Sequence, residues 1–457
     1  MVAKSAALFC LALAISLLIP SSRILACAHG VQARPTPAVK RDSLLNGLRL
    51  MVIEQPGTKL VEIHLRINSG AMFDLSGKGG LADVTARMVL RGTPGINAKA
   101  LTELANQLGL SISAKVGWDA SDFVVAGPAA DFEQIADTLA RIVINPAFDQ
   151  KELDTLKAEK VSGLLTRNLS DGDRLTQTAL TLFYGAFPYG HPIEGTADSI
   201  SRITRDDIVS YHSRFYIANN AAVVIQGDVT AAQVTNVARA KFGVWEKNDV
   251  VAATFRPPSP LEGSQIFISD QPSANQAVAV ICQGGASRKA HDYLAAELMA
   301  AMIPPVASGE LSVPGLKIES TLDGRVLPGP LTLQITAPAD KLTAAVNSVR
   351  SVMARIAAGD VPADQLDRAK QRLIESFSAS LNAPEATAVE LLDIEEYDLG
   401  RDYFLNYVDW VNAVSMADIA NYAHKYLTPG SLVIGIDGPA SQIEGPMKKV
   451  GTVSVVR

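Results

Sequence analysis

The chain has 457 residues, 48% of them hydrophobic and 19% charged, an ordinary globular composition long enough for two or more domains. A net charge of −6 and the lack of any long Lys/Arg run exclude nucleic acid as a main partner. The three cysteines, Cys10, Cys27 and Cys282, are too few and too scattered for a disulfide framework or a Cys-based zinc site.

Residues 1–28 read as a targeting segment. Lys4 supplies positive charge, residues 6–19 are almost wholly apolar, and Pro20, Ser21 and Ser22 break the run. The run is too short to span a membrane. Ala26-Cys27-Ala28 fits a small-x-small cleavage site, which makes His29 the first mature residue and implies export to a periplasm. Leu25-Ala26-Cys27 leaves a second reading open, in which Cys27 is lipidated. Arg23 speaks against it, and membrane attachment is expected only on that reading. Cys10 leaves with the signal. Cys282, in a strand-like run, is expected to be a buried small hydrophobe rather than a nucleophile.

Residues 29–42 are polar, carry Pro35 and Pro37, and read as a flexible N-terminal segment. Regular patterning starts at Gly47. Residues 48–54 and 61–67 alternate as strands about a Pro56-Gly57 turn. Helical periodicity follows over 80–90, 99–108, 131–144 and 150–167, with Asn145-Pro146 stopping the third.

The chain then repeats itself. Thr204 to Tyr211, leading into Arg214-Phe215-Tyr216 and Val223 to Gly227, returns as Ser415 to Tyr422, Lys425-Tyr426-Leu427 and Ile434 to Gly438, at a constant offset of 211 residues. A period this long means a duplicated domain rather than a solenoid. The expected organisation is a first domain over 43–247, a linker over 248–262 stiffened by Arg256-Pro257-Pro258-Ser259-Pro260, a second domain over 263–444 and a tail over 445–457. The expected fold class is α+β, two homologous domains each with a mostly antiparallel sheet packed against helices.

One segment carries most of the chemical information: Gly80-Leu81-Ala82-Asp83-Val84-Thr85-Ala86-Arg87-Met88, followed by Arg91-Gly92-Thr93. It resembles the zinc helix of the M16 (pitrilysin and insulinase-like, inverzincin) peptidases, in which His-x-x-Glu-His lies between a Gly-Leu-Ala lead-in and a Gly-Thr exit. Imidazoles at i and i+4 converge on one metal, and the adjacent Glu takes a proton from the metal-bound water. Here the His positions are Asp83 and Arg87 and the Glu position is Ala86. Phe183-Tyr184-Gly185, Tyr189-Gly190-His191-Pro192 and Gly195-Thr196 also resemble that family, as do the endings of both halves, so the similarity runs from about Leu45 to Gly438.

The resemblance implies a third ligand on a later helix. Registering on Phe183-Tyr184-Gly185 puts that position at Gly163, 76 residues past Arg87, with Glu159 one turn earlier. Arg87 stays protonated and repels a cation, and Ala86 accepts no proton. No catalytic residue, metal ligand or cofactor is therefore expected in this chain, and zinc is expected only in a catalytic partner. Asp83 and Arg87 have the spacing of a helical ion pair. The family's substrate-gripping Arg and Tyr register on Leu311 and Ile318, both apolar. Gly77-Lys78-Gly79-Gly80 lacks the spacing of a phosphate loop and is read as a turn into the helix; His191 is read as a turn stabiliser.

The leading expectation is a non-catalytic subunit of the cell envelope that pairs with an active, zinc-bearing homologue as a heterodimer, or with itself as a homodimer, around a chamber for peptides. The alternatives are a scaffold or binding protein unrelated to proteolysis, and a hydrolase with a different site.

Overall fold

The computed structural model describes residues 38–456. The expected signal segment, with Cys10 and Cys27, lies outside them. In the first half the strands are β1 (Val39–Ser43), β2 (Arg49–Glu54), β3 (Leu60–Ile67), the small hairpin β4 (Gly92–Thr93) and β5 (Ile96–Asn97), β6 (Ser111–Val116), β7 (Ser121–Pro128) and β8 (Ala221–Gly227). Its helices are α1 (Leu81–Val89), α2 (Ala98–Leu108), α3 (Phe132–Ile144), α4 (Gln150–Thr166), α5 (Asp171–Tyr184), α6 (Ala197–Ser201), α7 (Arg205–Phe215) and α8 (Ala231–Phe242).

The second half has strands β9 (Gln265–Asp270), β10 (Gln276–Gly284), β11 (Lys317–Leu322), β12 (Pro330–Pro338), β13 (Val433–Gly438) and β14 (Thr452–Val456). Its helices are α9 (Tyr293–Gly309), α10 (Leu342–Ala357), α11 (Ala363–Ser380), α12 (Pro384–Glu396), α13 (Tyr403–Ala413), α14 (Met416–Tyr426) and α15 (Ala440–Met447).

The duplication is topological as well as sequential. One six-stranded sheet runs β1-β2-β8-β3-β7-β6, and the other, read from its far edge, β14-β9-β13-β10-β12-β11. In both, the third strand pairs parallel to the second and antiparallel to the fourth. The helix before that third strand opens with the same capping box, Thr204 with Asp207 on α7 and Ser415 with Asp418 on α14. Each hydroxyl accepts the amide three residues on, and each carboxylate returns to the cap amide, so orphan donors at both helix starts are satisfied.

Two sequence boundaries need correction. The segment read as flexible over 29–42 ends in β1, which pairs antiparallel with β2 from Val39↔Ile53 onward. The tail over 445–457 ends in β14, parallel to β9. Val39-Lys40-Arg41 and Thr452-Val453-Ser454-Val455 alternate as edge strands do, but each run is short and lies beyond the repeat. Residues 248–262, the expected linker, carry neither helix nor strand.

The halves exchange helices. Leu175 and Ala179 of α5 are buried with Val280, Cys282 and Val433 of the second sheet. In return α12 packs on β8 and β3, and its Leu391 and Ile394 share a core with Met51, Ile53, Ala222 and Val224 of the first sheet. Each sheet is therefore covered on one face by its own helices and on the other by a helix of the opposite half. Cys282 is fully buried here, and burial pushes its thiol up to about 12, consistent with a packing role.

Candidate functional site

Helix α1 starts where two glycines allow close backbone contact. Gly80 caps it in the left-handed region at φ 94°, and a Cβ there would lie 2.8 Å from the carbonyl oxygen of Glu194. Gly195, at φ 76°, would place a Cβ 2.2 Å from the Gly79 oxygen. The carboxylate of Asp74 accepts the amides of Gly80 (2.6 Å) and Ala82 (2.7 Å), satisfying donors at the positive end of the helix. Burial pushes Asp74 up to about 8, and those amides oppose the rise. Lys78, in the glycine-rich turn, bonds Asp207 of α7 at 2.6 Å, so the turn ties the two helices together. The ring nitrogens of His191 lie 3.0 and 3.1 Å from the carbonyl oxygens of Pro192 and Ala71, which sets the turn before Gly195 beside the Ala71–Phe73 segment that leads to α1.

Asp83 and Arg87 come together on α1. Arg87 Nε donates to the two carboxylate oxygens of Asp83 at 3.1 and 2.9 Å. A third member joins them that no sequence pattern indicates: Lys160 of α4 also donates to Asp83. Asp83 is 4% exposed, and the Lys160 side chain 10%. Gly163, the position expected to face the helix pair, instead sits on a cavity wall beside Arg87, with open space where a Cβ would stand. Lys160, one turn earlier, is what reaches Asp83, because a long side chain spans the gap between α4 and α1. Glu159 is taken up by Arg91, which also lies 3.5 Å from Glu152. Ala86 is buried, 1% exposed.

These residues do not fit the zinc that the resemblance implies. One buried carboxylate already answers two cations, so a divalent ion would meet two fixed positive charges and a single occupied ligand. Where a general base would stand, Ala86 offers only a methyl group. The arrangement is an ion-paired strut between α1 and α4. The register positions of the substrate-gripping pair are likewise apolar in place: Ile318 of β11 is 8% exposed, and Leu311 packs against the second core.

A second polar assembly, not foreseen from the sequence, joins the halves. Asp119 accepts from Tyr189 Oη (2.9 Å), Tyr397 Oη (3.1 Å) and the amide of Val326 (2.9 Å). Val326 belongs to the β11–β12 loop of the second half. In the same loop Arg325 stacks over Trp118 (4.6 Å) and Tyr189 (4.4 Å), two rings that also line the cleft beside Asp83 and Arg87. Nearby, buried Arg66 bonds Asp122 (2.7 and 3.0 Å) and reaches across to Asp393 and Glu396 of α12. The partners of Tyr189 come from distant loops, Asp119 lying 70 and Leu327 138 residues away in the chain.

Residues 49–193 match the family model described as insulinase (peptidase family M16), and residues 202–373 the one described as peptidase M16 inactive domain. Among curated proteins, the mitochondrial cytochrome b-c1 complex subunit 1 of Rattus norvegicus is 24% identical over 270 residues, covering 56% of this chain and 54% of that one. The chain spans about half the length of the curated relatives it matches. Among solved structures, a peptidase M16 inactive domain protein from Pseudomonas fluorescens superposes with a TM-score of 0.77 at 21% identity, covering 88% of this chain and 98% of that one. The periplasmic protease PqqL of Escherichia coli gives 0.73 at 15% identity, over 92% of this chain and 49% of PqqL. At these identities the structural matches establish the fold.

Proposed function

The chain belongs to the M16 peptidase family, and from that premise we propose that it is a non-catalytic subunit which pairs with an active, zinc-bearing M16 homologue around a peptide chamber. The observation that carries this reading is the helix α1 cluster: Lys160 and Arg87 hold Asp83 where a metal would need ligands, and Ala86 stands where a base would be required. The frame around that helix is intact, with Gly80, Gly195 and Asp74 all engaged. A fold kept while its reagents are replaced suits a wall of a shared chamber. We also place it in the periplasm, on the strength of the apolar segment over residues 6–19 and the likeness to a periplasmic protease. Among the described residues no helix is long and apolar enough to cross a membrane.

The test is to mix the purified protein with a homologue from the same cell that carries intact His-x-x-Glu-His. Co-elution and a rise in peptide cleavage are expected. Two separate peaks and unchanged cleavage would end the subunit reading. A second reading, a scaffold that has left proteolysis, draws on the likeness to a cytochrome b-c1 complex subunit. A native mass showing stable assembly with non-peptidase chains would select it.

A further inference from the structure

Every residue of α1 is buried except one, Arg87, whose side chain is 44% exposed. Arg87 opens into a cleft of about 770 Å³, inside the range of pockets that hold small ligands. The cleft has an apolar side built by Val116, Trp118, Leu165, Leu180 and Ile193. Only Nε of Arg87 is engaged, by Asp83, so its two terminal nitrogens have no partner among the described residues. Lys160 and Asp83 brace the guanidinium from behind, which lowers the entropy lost when it binds something in front.

The charge balance points the same way. Arg87, Lys115 and Arg167 line the cleft with Asp83, Asp173 and Glu194, and Lys160 adds a fourth cation through Asp83. Arg167 is matched by Glu194 at 2.6 Å, and Asp83 is shared by two cations. Four cations against three anions leave the cleft with one positive charge in excess, and the free terminal nitrogens of Arg87 present a planar fork of N–H donors there. A guanidinium fork matches a carboxylate in two-point geometry.

We propose that this cleft is a receptor for the C-terminal carboxylate of an apolar peptide, bound by the two free nitrogens of Arg87 with its last side chains on the Trp118 and Leu180 wall. This rests on the non-catalytic reading: a cleft with no metal chemistry retains a peptide end instead of cutting it. The terminal carboxylate is chosen over an acidic side chain because it comes with an apolar residue directly attached, and the cleft places donors and apolar wall side by side.

The test uses the purified full-length chain alone and a fluorescein-labelled Ala-Leu-Ala-Leu-Phe peptide in three forms: free acid, C-terminal amide, and amide with Glu replacing the penultimate Leu. The free acid is expected to bind about tenfold or more tighter than either amide, the share of one hydrogen bond to a charged group. Arg87→Gln is expected to erase that preference while keeping the melting temperature near wild type, since Lys160 still answers Asp83. Equal binding of acid and amide by the wild type overturns the proposal, as does absence of binding or a preference that survives in Arg87→Gln. Tight binding of the Glu amide overturns the choice of the terminal carboxylate. Because no partner is present, failure here leaves the co-elution test untouched. Recovery of a cleaved peptide would instead sink the non-catalytic reading.

Discussion

Asp83 is 4% exposed, so its charge has to be matched inside the fold. Lys160 matches it from a nearly buried position, whereas Arg87 keeps nearly half its side chain in solvent. The two partners are therefore unequal. Lys160→Met leaves Asp83 with only the half-exposed Arg87, and should destabilise the protein by about 3 kcal/mol, at the lower end for breaking a buried pair. The midpoint of urea unfolding checks this, with an unchanged slope showing that the native surface is the same. Adding Asp83→Leu to Lys160→Met should recover most of the loss, because an apolar pair replaces the buried ions and Arg87 can turn fully to solvent. If the double variant were as unstable as the single one, the strut would not be electrostatic. At the other end of α1, Gly80→Ala forces a Cβ into a left-handed residue and against the Glu194 carbonyl; the same unfolding experiment should show a loss of about 1–3 kcal/mol.

Elements were legible wherever one period dominated. The strands expected at 48–54 and 61–67 are β2 and β3 within a residue, and the four helices expected between 80 and 167 are α1 to α4 within one or two. The second half was read through its echo of the first, which works because α7 and α14 start with the same hydrogen-bonded cap. Those caps also give a paired test. Thr204→Ala and Ser415→Ala should each cost about 1 kcal/mol, and the double variant should cost their sum, since the sites share no partner. A marked departure from additivity in thermal unfolding would mean that the duplicated helices communicate. What the pattern could not reveal is which helix covers which sheet. Leu175 and Ala179 would suit either core, and only the folded chain shows that α5 lies on the opposite half. Lys160 was hidden for a related reason: no local period links residues 77 apart, so its pairing with Asp83 is set by how α4 crosses α1.

At the scale of the whole molecule, the exchanged helices bring an excess of acid to the boundary between the halves. Arg66, from the first sheet, faces Asp122 on its own side and Asp393 and Glu396 on α12, with Asp119 close by. Burial, only partly offset by Arg66, pushes Glu396 up to about 8, and burial likewise takes Glu390 up to about 7. A carboxyl whose folded pKa lies above its unfolded value binds more protons in the native state, so stability falls as pH rises through the interval between the two. Asp74, at about 8 in the first half, acts with the same sign. His212 acts the other way, because burial depresses it to about 4 and its neutral form is favoured, but its contribution is complete above its ordinary value of 6.5. The window from pH 6.5 to 8.5 thus isolates the carboxyls. Unfolding free energy should decline across it by at most about 1.4 kcal/mol per pH unit for each titrating group. Glu396→Gln should flatten the decline, since an amide oxygen still accepts from Arg66 but has no proton to lose. The titrating carboxyls on α12 sit at the boundary between the halves, so the loss should begin there: in hydrogen exchange at pH 8.5, α12 and the Val326 loop should open before the central strands β3 and β10. Uniform opening of both halves, or a pH profile that Glu396→Gln leaves unchanged, would place the alkali-sensitive groups elsewhere and remove the interdomain cluster as the weak point of the fold.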